Sequence, residues 1–346
     1  MKKIFLLLSL YFLLPFSTLF AGNSAPCKSD YPHWDFENKT TYQKLVKLNN
    51  FIENNKNKKL LAIFDWDGTL YNENIPVKEM NGTQYAGQPA YYIWAAANNN
   101  LFDFKLFPLF WTNDGLFNKN VITKNNFLEG HSNRNADEYS KFTQTPLFTA
   151  GMSRRELEKT VYSYIKDYPP KKYAFLPMLD VLQKMTDEGF NVWIVTGSNQ
   201  YFVGCILKYI QNNIEYRPGE KYNFSKILEP TEKSEMHIAG NSMKLMTNNR
   251  FSAVYDNRYT QNTDNKLYIV DKKGKEIAVK NIEKWENTRA IFVAGNSDGD
   301  LWNSKFILNR NTGAFGIGVN PLENSKLMNF YNKHKQQTII LNSDEL

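Results

Sequence analysis

Apolar positions fall along the chain in three kinds of pattern. The first is an unbroken run from Ile4 to Leu14, preceded by Lys2 and Lys3 and followed by Pro15 and a small-residue exit at Ala21. Crossing a bilayer takes about 20 uninterrupted apolar residues, and Pro15 interrupts a segment that reaches only to Phe20. Residues 1–21 therefore read as a cleavable secretory signal peptide rather than an anchor. The second pattern is the short continuous run: Leu60 to Phe64, Phe190 to Val195, Ala290 to Ala294, Phe315 to Val319 and Thr338 to Leu341. Runs of this length without alternation predict strands buried on both faces. The third is helical spacing. Pro177 opens a helix whose face carries Met178, Leu179, Val181, Leu182 and Met185, and Gly189 stops it. Leu45, Leu48 and Ile52 mark one face of a helix from Tyr42 to Ile52, and a polar helix is expected from about Asn324 to Lys335. Helix followed by strand predicts crossover units and an α/β fold with a parallel sheet.

Three of these strands end in polar turns. Leu60 to Phe64 runs directly into Asp65-Trp66-Asp67-Gly68-Thr69-Leu70, which puts two carboxylates and a turn glycine at a strand's C-terminal end. In open α/β sheets that edge is where ligands bind. Like charges this close need a cation or a shared proton, and Mg²⁺ suits the place because it takes oxygen ligands and keeps positions open for water and a phosphoryl oxygen. Asp65 is then a candidate nucleophile, with Asp67 protonating the leaving oxygen; the bland reading is an ordinary Asp-Gly turn. The second strand ends in Thr196-Gly197-Ser198-Asn199, whose hydroxyl and turn amides suit a phosphate. The third ends in Gly295-Asn296-Ser297-Asp298-Gly299-Asp300. Three polar strand ends are thus expected on one edge.

Composition narrows the alternatives. The 346 residues carry 42 Lys+Arg against 35 Asp+Glu, a net charge of +7, and two of those positive charges lie in the leader. A mild excess with no dense basic tract beyond Lys56, Lys58 and Lys59 does not call for nucleic acid. His33, His131, His237 and His334 are too scattered for a His-rich metal motif, and neither a GxxxxGK[ST] loop nor a GxSxG elbow is present. Cys27 and Cys205, the only cysteines, either pair in an oxidising compartment or leave Cys205 as a buried free thiol.

Taken together, FDWDGTL at 64–70, VTGSN at 195–199, Gly274-Lys275 and AGNSDGD at 294–300 resemble, in order, the four motifs of the haloacid dehalogenase-like (HAD) superfamily. The resemblance is to its aspartate-nucleophile phosphatases of phosphoserine-phosphatase-like layout, and it spans roughly residues 60–320 apart from a divergent insertion. It implies a Rossmann-like parallel sheet with an inserted, mostly helical cap between the first and second motifs. It also implies that Asp65 attacks phosphorus to give an aspartyl-phosphate, that Asp67 protonates the leaving alcohol and then activates water, and that Thr196, Gly197 and Lys275 bind the phosphoryl group. Mg²⁺ would bridge Asp65, the Asp67 carbonyl and the fourth motif, where Asn296 stands in place of the commoner acid and Asp298 or Asp300 supplies a carboxylate. An acid two residues after the nucleophile favours phosphoryl transfer over dehalogenation, which has no leaving alcohol to protonate. Lys280 competes with Lys275 for the third motif. A hairpin of Phe251 to Tyr255 with Leu267 to Val270 is expected before it.

The organisation implied is a leader at 1–21, an N-terminal extension at 22–58, a catalytic core at 59–70 with 173–346, and a cap at 71–172. Tyr85, Tyr91, Tyr92, Trp94, Phe102, Phe104, Phe107, Phe110, Trp111 and Phe117 crowd the cap, either as its core or as a cage for a cationic head group. Thr149-Ala150-Gly151-Met152-Ser153 leading to Glu156 resembles the cap-exit segment of secreted bacterial phosphorylcholine phosphatases, although Ser153 and Glu156 also make an ordinary capping box. The expected activity is a secreted or periplasmic Mg²⁺-dependent phosphomonoesterase for a small phosphate monoester, phosphocholine among the candidates. A broad acid phosphatase, a phosphoserine-like phosphatase and a catalytically weak choline-binding protein are the alternatives. Neither a nucleic-acid partner nor, after leader cleavage, a membrane is expected.

Overall fold

A computed structural model describes residues 25–98, 145–264 and 266–346. Residues 1–21, expected to be a leader, and the aromatic positions Phe102, Phe104, Phe107, Phe110, Trp111 and Phe117 lie outside these. Among the described residues no helix is long and apolar enough to cross a membrane.

Helix α1 (Lys39–Asn55) precedes the central strand β1 (Leu61–Phe64). It starts earlier than apolar spacing alone predicts because the Asn38 side chain accepts from the Thr40 and Thr41 amides. After β1 come the hairpin β2 (Ile75–Val77) and β3 (Thr83–Tyr85), then α2 (Gly87–Asn98) and α3 (Arg154–Asp167). The chain returns through α4 (Leu176–Asp187), β4 (Asn191–Val195), α5 (Gln200–Asn213), the small hairpin β5 (Glu215–Arg217) and β6 (Glu220–Lys221), a single turn α6 (Ser225–Leu228) and β7 (Ile238–Ala239). Next are β8 (Met243–Leu245), β9 (Phe251–Tyr255), α7 (Lys273–Glu286), β10 (Ala290–Gly295), α8 (Leu301–Leu308), β11 (Phe315–Val319), α9 (Lys326–Lys333) and β12 (Thr338–Leu341).

Six strands form one parallel sheet in the order β12-β11-β10-β1-β4-β7. This is the Rossmann-like α/β architecture expected, with helices on both sides. The continuous apolar runs are explained by position: Leu61 to Phe64 are all fully buried, and every residue of β10 and β11 is buried. From β1 the chain steps outward to β4 and β7, then crosses back to β10 on the other side of β1. The edge between β1 and β10 is thus the switch point at which such sheets bind ligands.

Two expectations change. Phe251–Tyr255 does form a hairpin strand, but its antiparallel partner is Met243–Leu245, and Leu267–Val270 is not a strand. The Val270 amide is taken by the Asn241 side chain and the Tyr268 carbonyl by the Thr260 hydroxyl, so that segment's backbone is satisfied outside a ladder. The last helix is shorter than expected at Lys326–Lys333, because Ser325 caps it by accepting from the Met328 amide. Cys27 and Cys205 are both free.

Within the inserted segment, α3 begins with a full capping box between Ser153 and Glu156, so those two residues are accounted for by helix initiation. The entry and exit of the insertion run side by side: Asn72 donates to the Tyr173 carbonyl at 2.7 Å and Phe175 to the Leu70 carbonyl at 3.0 Å. A second attachment comes from the core hairpin, where Gly151 donates to the Phe251 carbonyl and Phe251 to the Met152 carbonyl. Residues 25–38 strap the back of the core. Trp34 Nε1 donates to the Pro177 carbonyl at 2.8 Å, and buried Asp180 accepts from the His33 amide and the Tyr222 hydroxyl, each at 2.8 Å.

Candidate active site

The parallel register sets the site. Phe64 lies opposite both Ala294 of β10 and Ile194 of β4, so the residues just beyond these three strands meet at one edge. Asp65 is buried and its amide still belongs to the sheet, donating to the Ala294 carbonyl at 2.9 Å. Beyond it the chain turns sharply, with the Leu70 and Tyr71 amides both donating to the Trp66 carbonyl. Gly68 sits in that turn at φ +72°, and a β-carbon there would lie 1.9 Å from Asn296 Nδ2. The turn after β1 therefore touches the turn after β10 at a place where only glycine fits.

Lys275 enters from the first turn of α7. Gly274 before it is pressed so close to the Ile269 carbonyl that a β-carbon would come within 1.6 Å of the oxygen. The Lys275 ammonium is buried and donates to Asp65 Oδ1 at 2.7 Å and to Asp300 Oδ1 at 2.6 Å. Lys280 points elsewhere: it is exposed, pairs with Glu276 and lies over the Phe306 ring. Asp300, fully buried, completes its bonding with the Asn296 amide at 3.1 Å and the Ser297 amide at 3.3 Å on Oδ2. Asp298 leaves the cluster. It is exposed, and its carboxylate accepts from the Leu327 amide at 2.9 Å, serving the N-terminus of α9 instead.

The two carboxylates of the first turn have different company. Asp65 holds Lys275 on one oxygen and accepts from the Thr69 hydroxyl at 3.3 Å on the other. Burial pushes its proton affinity well up, the Asp300 carboxylate pushes it further, and Lys275 opposes both. No ammonium is hydrogen-bonded to Asp67, although the Lys275 charge nearby draws its proton affinity down. Its Oδ2 accepts from the Ser198 hydroxyl at 2.6 Å, while Oδ1 is buried beside the backbone of Gly87 without a well-formed hydrogen bond. Burial raises its pKa to about 6 against the pull of the Ser198 bond, and the nearby Glu73 carboxylate adds to the rise.

Thr196 is fully buried at the end of β4 and its hydroxyl accepts from the Ser198 amide at 2.9 Å, closing a small turn. The Gly197 carbonyl is fixed by the Asn241 side chain at 2.8 Å. Thr196 and Gly197 thus lie on the strand end next to Asp65.

Charge decides what the cluster can hold. Asp65 and Asp300 are buried acids, Asp67 is a half-buried third, and Lys275 is the one buried cation beside them among the described residues. The surplus fits a hard cation with oxygen ligands. No three acidic, histidine or cysteine side chains among the described residues converge closely enough to hold a metal by themselves, so a cation here draws also on backbone or amide oxygen and water.

Three residues have places at the site that no sequence pattern marked. Ser198 stood inside a recognised run but was read only as part of a phosphate turn; its bond to Asp67 joins residues 131 positions apart. Gln88, from α2, accepts from the Asn199 amide. Glu73 is exposed beside Gly68 and Asp67 and makes the approach to the site negative.

No family model matches the chain, and no curated protein matches it. Among solved structures, a conserved protein of unknown function from Anaerococcus prevotii DSM 20548 aligns with a TM-score of 0.50 at 12% identity, covering 89% of this chain and 92% of that one. That likeness extends the shared fold over nearly the whole length of both. A protein of unknown function from Bordetella pertussis Tohama I aligns at 0.49 with 13% identity, covering 81% and 97%. A phosphoserine phosphohydrolase-like protein from Francisella tularensis subsp. tularensis SCHU S4 aligns at 0.37 with 14% identity, covering 83% and 97%.

Proposed function

We propose that the protein is a phosphomonoesterase of the HAD type that works through an aspartyl-phosphate on Asp65. The observation that carries this is the division of labour between two carboxylates two positions apart: Asp65 in contact with a buried ammonium, Asp67 in contact only with neutral donors and with its pKa raised to about 6. Environments that separate two neighbouring carboxyls in this way assign one as nucleophile and the other as acid. Asp65 attacks phosphorus, the P–O bond to the alcohol breaks, and the departing oxygen takes the proton of Asp67. Water then attacks the aspartyl-phosphate, giving its proton to Asp67 and releasing inorganic phosphate and free Asp65. Lys275 and the Thr196–Gly197 turn hold the phosphoryl oxygens.

The cofactor proposed is Mg²⁺, with Asp65, the Asp67 carbonyl, Asn296 and Asp300 as the residues that would hold it. When bound it supplies the positive charge that lets Asp65 and Asp300 both stay ionised and that offsets the charge on phosphorus. Residues 1–21 make the enzyme an exported one on this reading.

For the substrate we infer a small phosphate monoester. Tyr91, Tyr92 and Trp94 are buried in ring packing, Tyr91 against Phe202 of α5 at 5.1 Å, Tyr92 against Phe148 at 5.2 Å and Trp94 against Tyr164 at 5.8 Å, so packing accounts for these three rather than a cage. Glu73 at the approach favours a substrate with a positive head group, which keeps phosphocholine in the test panel.

The test is steady-state hydrolysis of p-nitrophenyl phosphate, phosphocholine and phosphoserine with Mg²⁺ and with EDTA, beside Asp65→Asn. Turnover that needs both the metal and Asp65 is the expected result. Full activity in Asp65→Asn, or none on any ester, overturns the reading.

A further inference from the structure

The acid of the proposed reaction is gripped from two sides. From the core, Ser198 donates to Asp67 Oδ2 at 2.6 Å. From the insertion, the backbone of Gly87 at the start of α2 stands beside Oδ1. These two sides are themselves tied together one residue away. Gln88 reaches from α2 to accept from the Asn199 amide, next in the chain to Ser198, and Tyr92, one helical turn further along α2, presents its hydroxyl to the Asn199 side chain. Gln88, Ser198 and Asn199 are all buried, at 4%, 4% and 0% exposure. Asn199 is also the N-cap of α5, its side chain accepting from the Tyr201 amide, so its amide is pinned between a core helix and the insertion.

Resting on the phosphatase reading, we propose that Gln88 is a positioning residue: by accepting from the Asn199 amide it holds the 196–199 turn so that Ser198 aims the Asp67 carboxyl at the leaving oxygen. The leaving-group acid is therefore in place only when the insertion is seated on the core. Proton delivery matters most where the departing group is a poor one. An alkoxide must receive the proton as the P–O bond breaks, whereas p-nitrophenolate leaves without it. Gln88 thus makes alkyl esters depend on the seated insertion more than aryl esters do.

The test compares kcat/KM for glycerol 2-phosphate and for p-nitrophenyl phosphate in the full Mg²⁺-loaded protein. Gln88→Met keeps the side chain's length but removes the acceptor, and it is expected to lower the alkyl-to-aryl ratio roughly 10- to 100-fold. Gln88→Glu keeps an acceptor oxygen and is expected to restore the ratio to within about threefold of wild type, in line with one retained hydrogen bond. The ratio is taken within one preparation, so partial misfolding cancels. Equal losses on both esters, or an unchanged ratio in Gln88→Met, overturn the proposal. Failure of the wild type to hydrolyse either ester is a different result: it removes the phosphatase reading and this proposal with it.

Discussion

Asp67 is kept ready to hold a proton at a cost to the fold. Its pKa of about 6 lies above the ordinary 3.8, so its favourable contribution to folding is complete below 3.8 and is lost as the pH rises to about 6. At pH 7 the buried carboxylate is a net burden, worth up to about 3 kcal/mol for a shift of this size. Asp67→Asn should accordingly raise the melting temperature at pH 7 while abolishing turnover of alkyl esters, and thermal melts at pH 4 and pH 7 should show the gain only at the higher pH. The same shift predicts that kcat/KM on an alkyl ester declines as the pH passes above about 6, because the acid must carry its proton. Lys275 predicts the opposite kind of change. Burial works against its charge, but Asp300 and Asp65 more than offset that and hold it protonated. Lys275→Met strands two buried carboxylates and should cost about 3–5 kcal/mol in urea denaturation at pH 7, with activity reduced at least about 100-fold. Asp65, Asp67 and Lys275 were all legible in the sequence as candidates, since each sits at a strand end or after a tight glycine. Ser198 as the partner of Asp67, and Gln88 behind it, were not: their roles depend on which loops the fold brings together.

At the level of elements, the continuous apolar runs announced five strands of the main sheet because those strands are buried on both faces, where alternation has no reason to appear. The two-residue β7 and the three-residue β8 carry too little pattern to read. β8 holds one buried residue, Met243, beside exposed Lys244, so its pairing with β9 comes from tertiary context rather than from periodicity. Strand order was equally hidden, as β10 returns to β1 only after two outward steps. Where elements meet at the site, the tightest joint is Gly68 against Asn296. Gly68→Ala forces a side chain into φ +72° and into the Asn296 amide, and should cost about 2 kcal/mol or more, read as a lowered urea midpoint. Asn296→Ala in the same background should recover part of that loss by vacating the space.

Across the whole molecule, the strap at 25–38 spans from α1 to α4 and the β5–β6 hairpin. Lys184 pairs with Asp30 at 2.9 Å, the Tyr216 hydroxyl donates to the Asp30 carbonyl at 2.6 Å, and Trp34 is buried against α4. Trp34→Ala should lower stability by about 3–5 kcal/mol without altering KM, since the strap touches none of the site residues. The strap also has a consequence in time. His33 and its partner Asp180 are 147 positions apart, and His33 and Tyr222 are 189 apart. At a synthesis rate of about 5–20 residues per second, the segment is made about 7 to 40 seconds before the surface that receives it exists. Residues 25–38 therefore cannot dock until α4 and the segment carrying Tyr222 have been made.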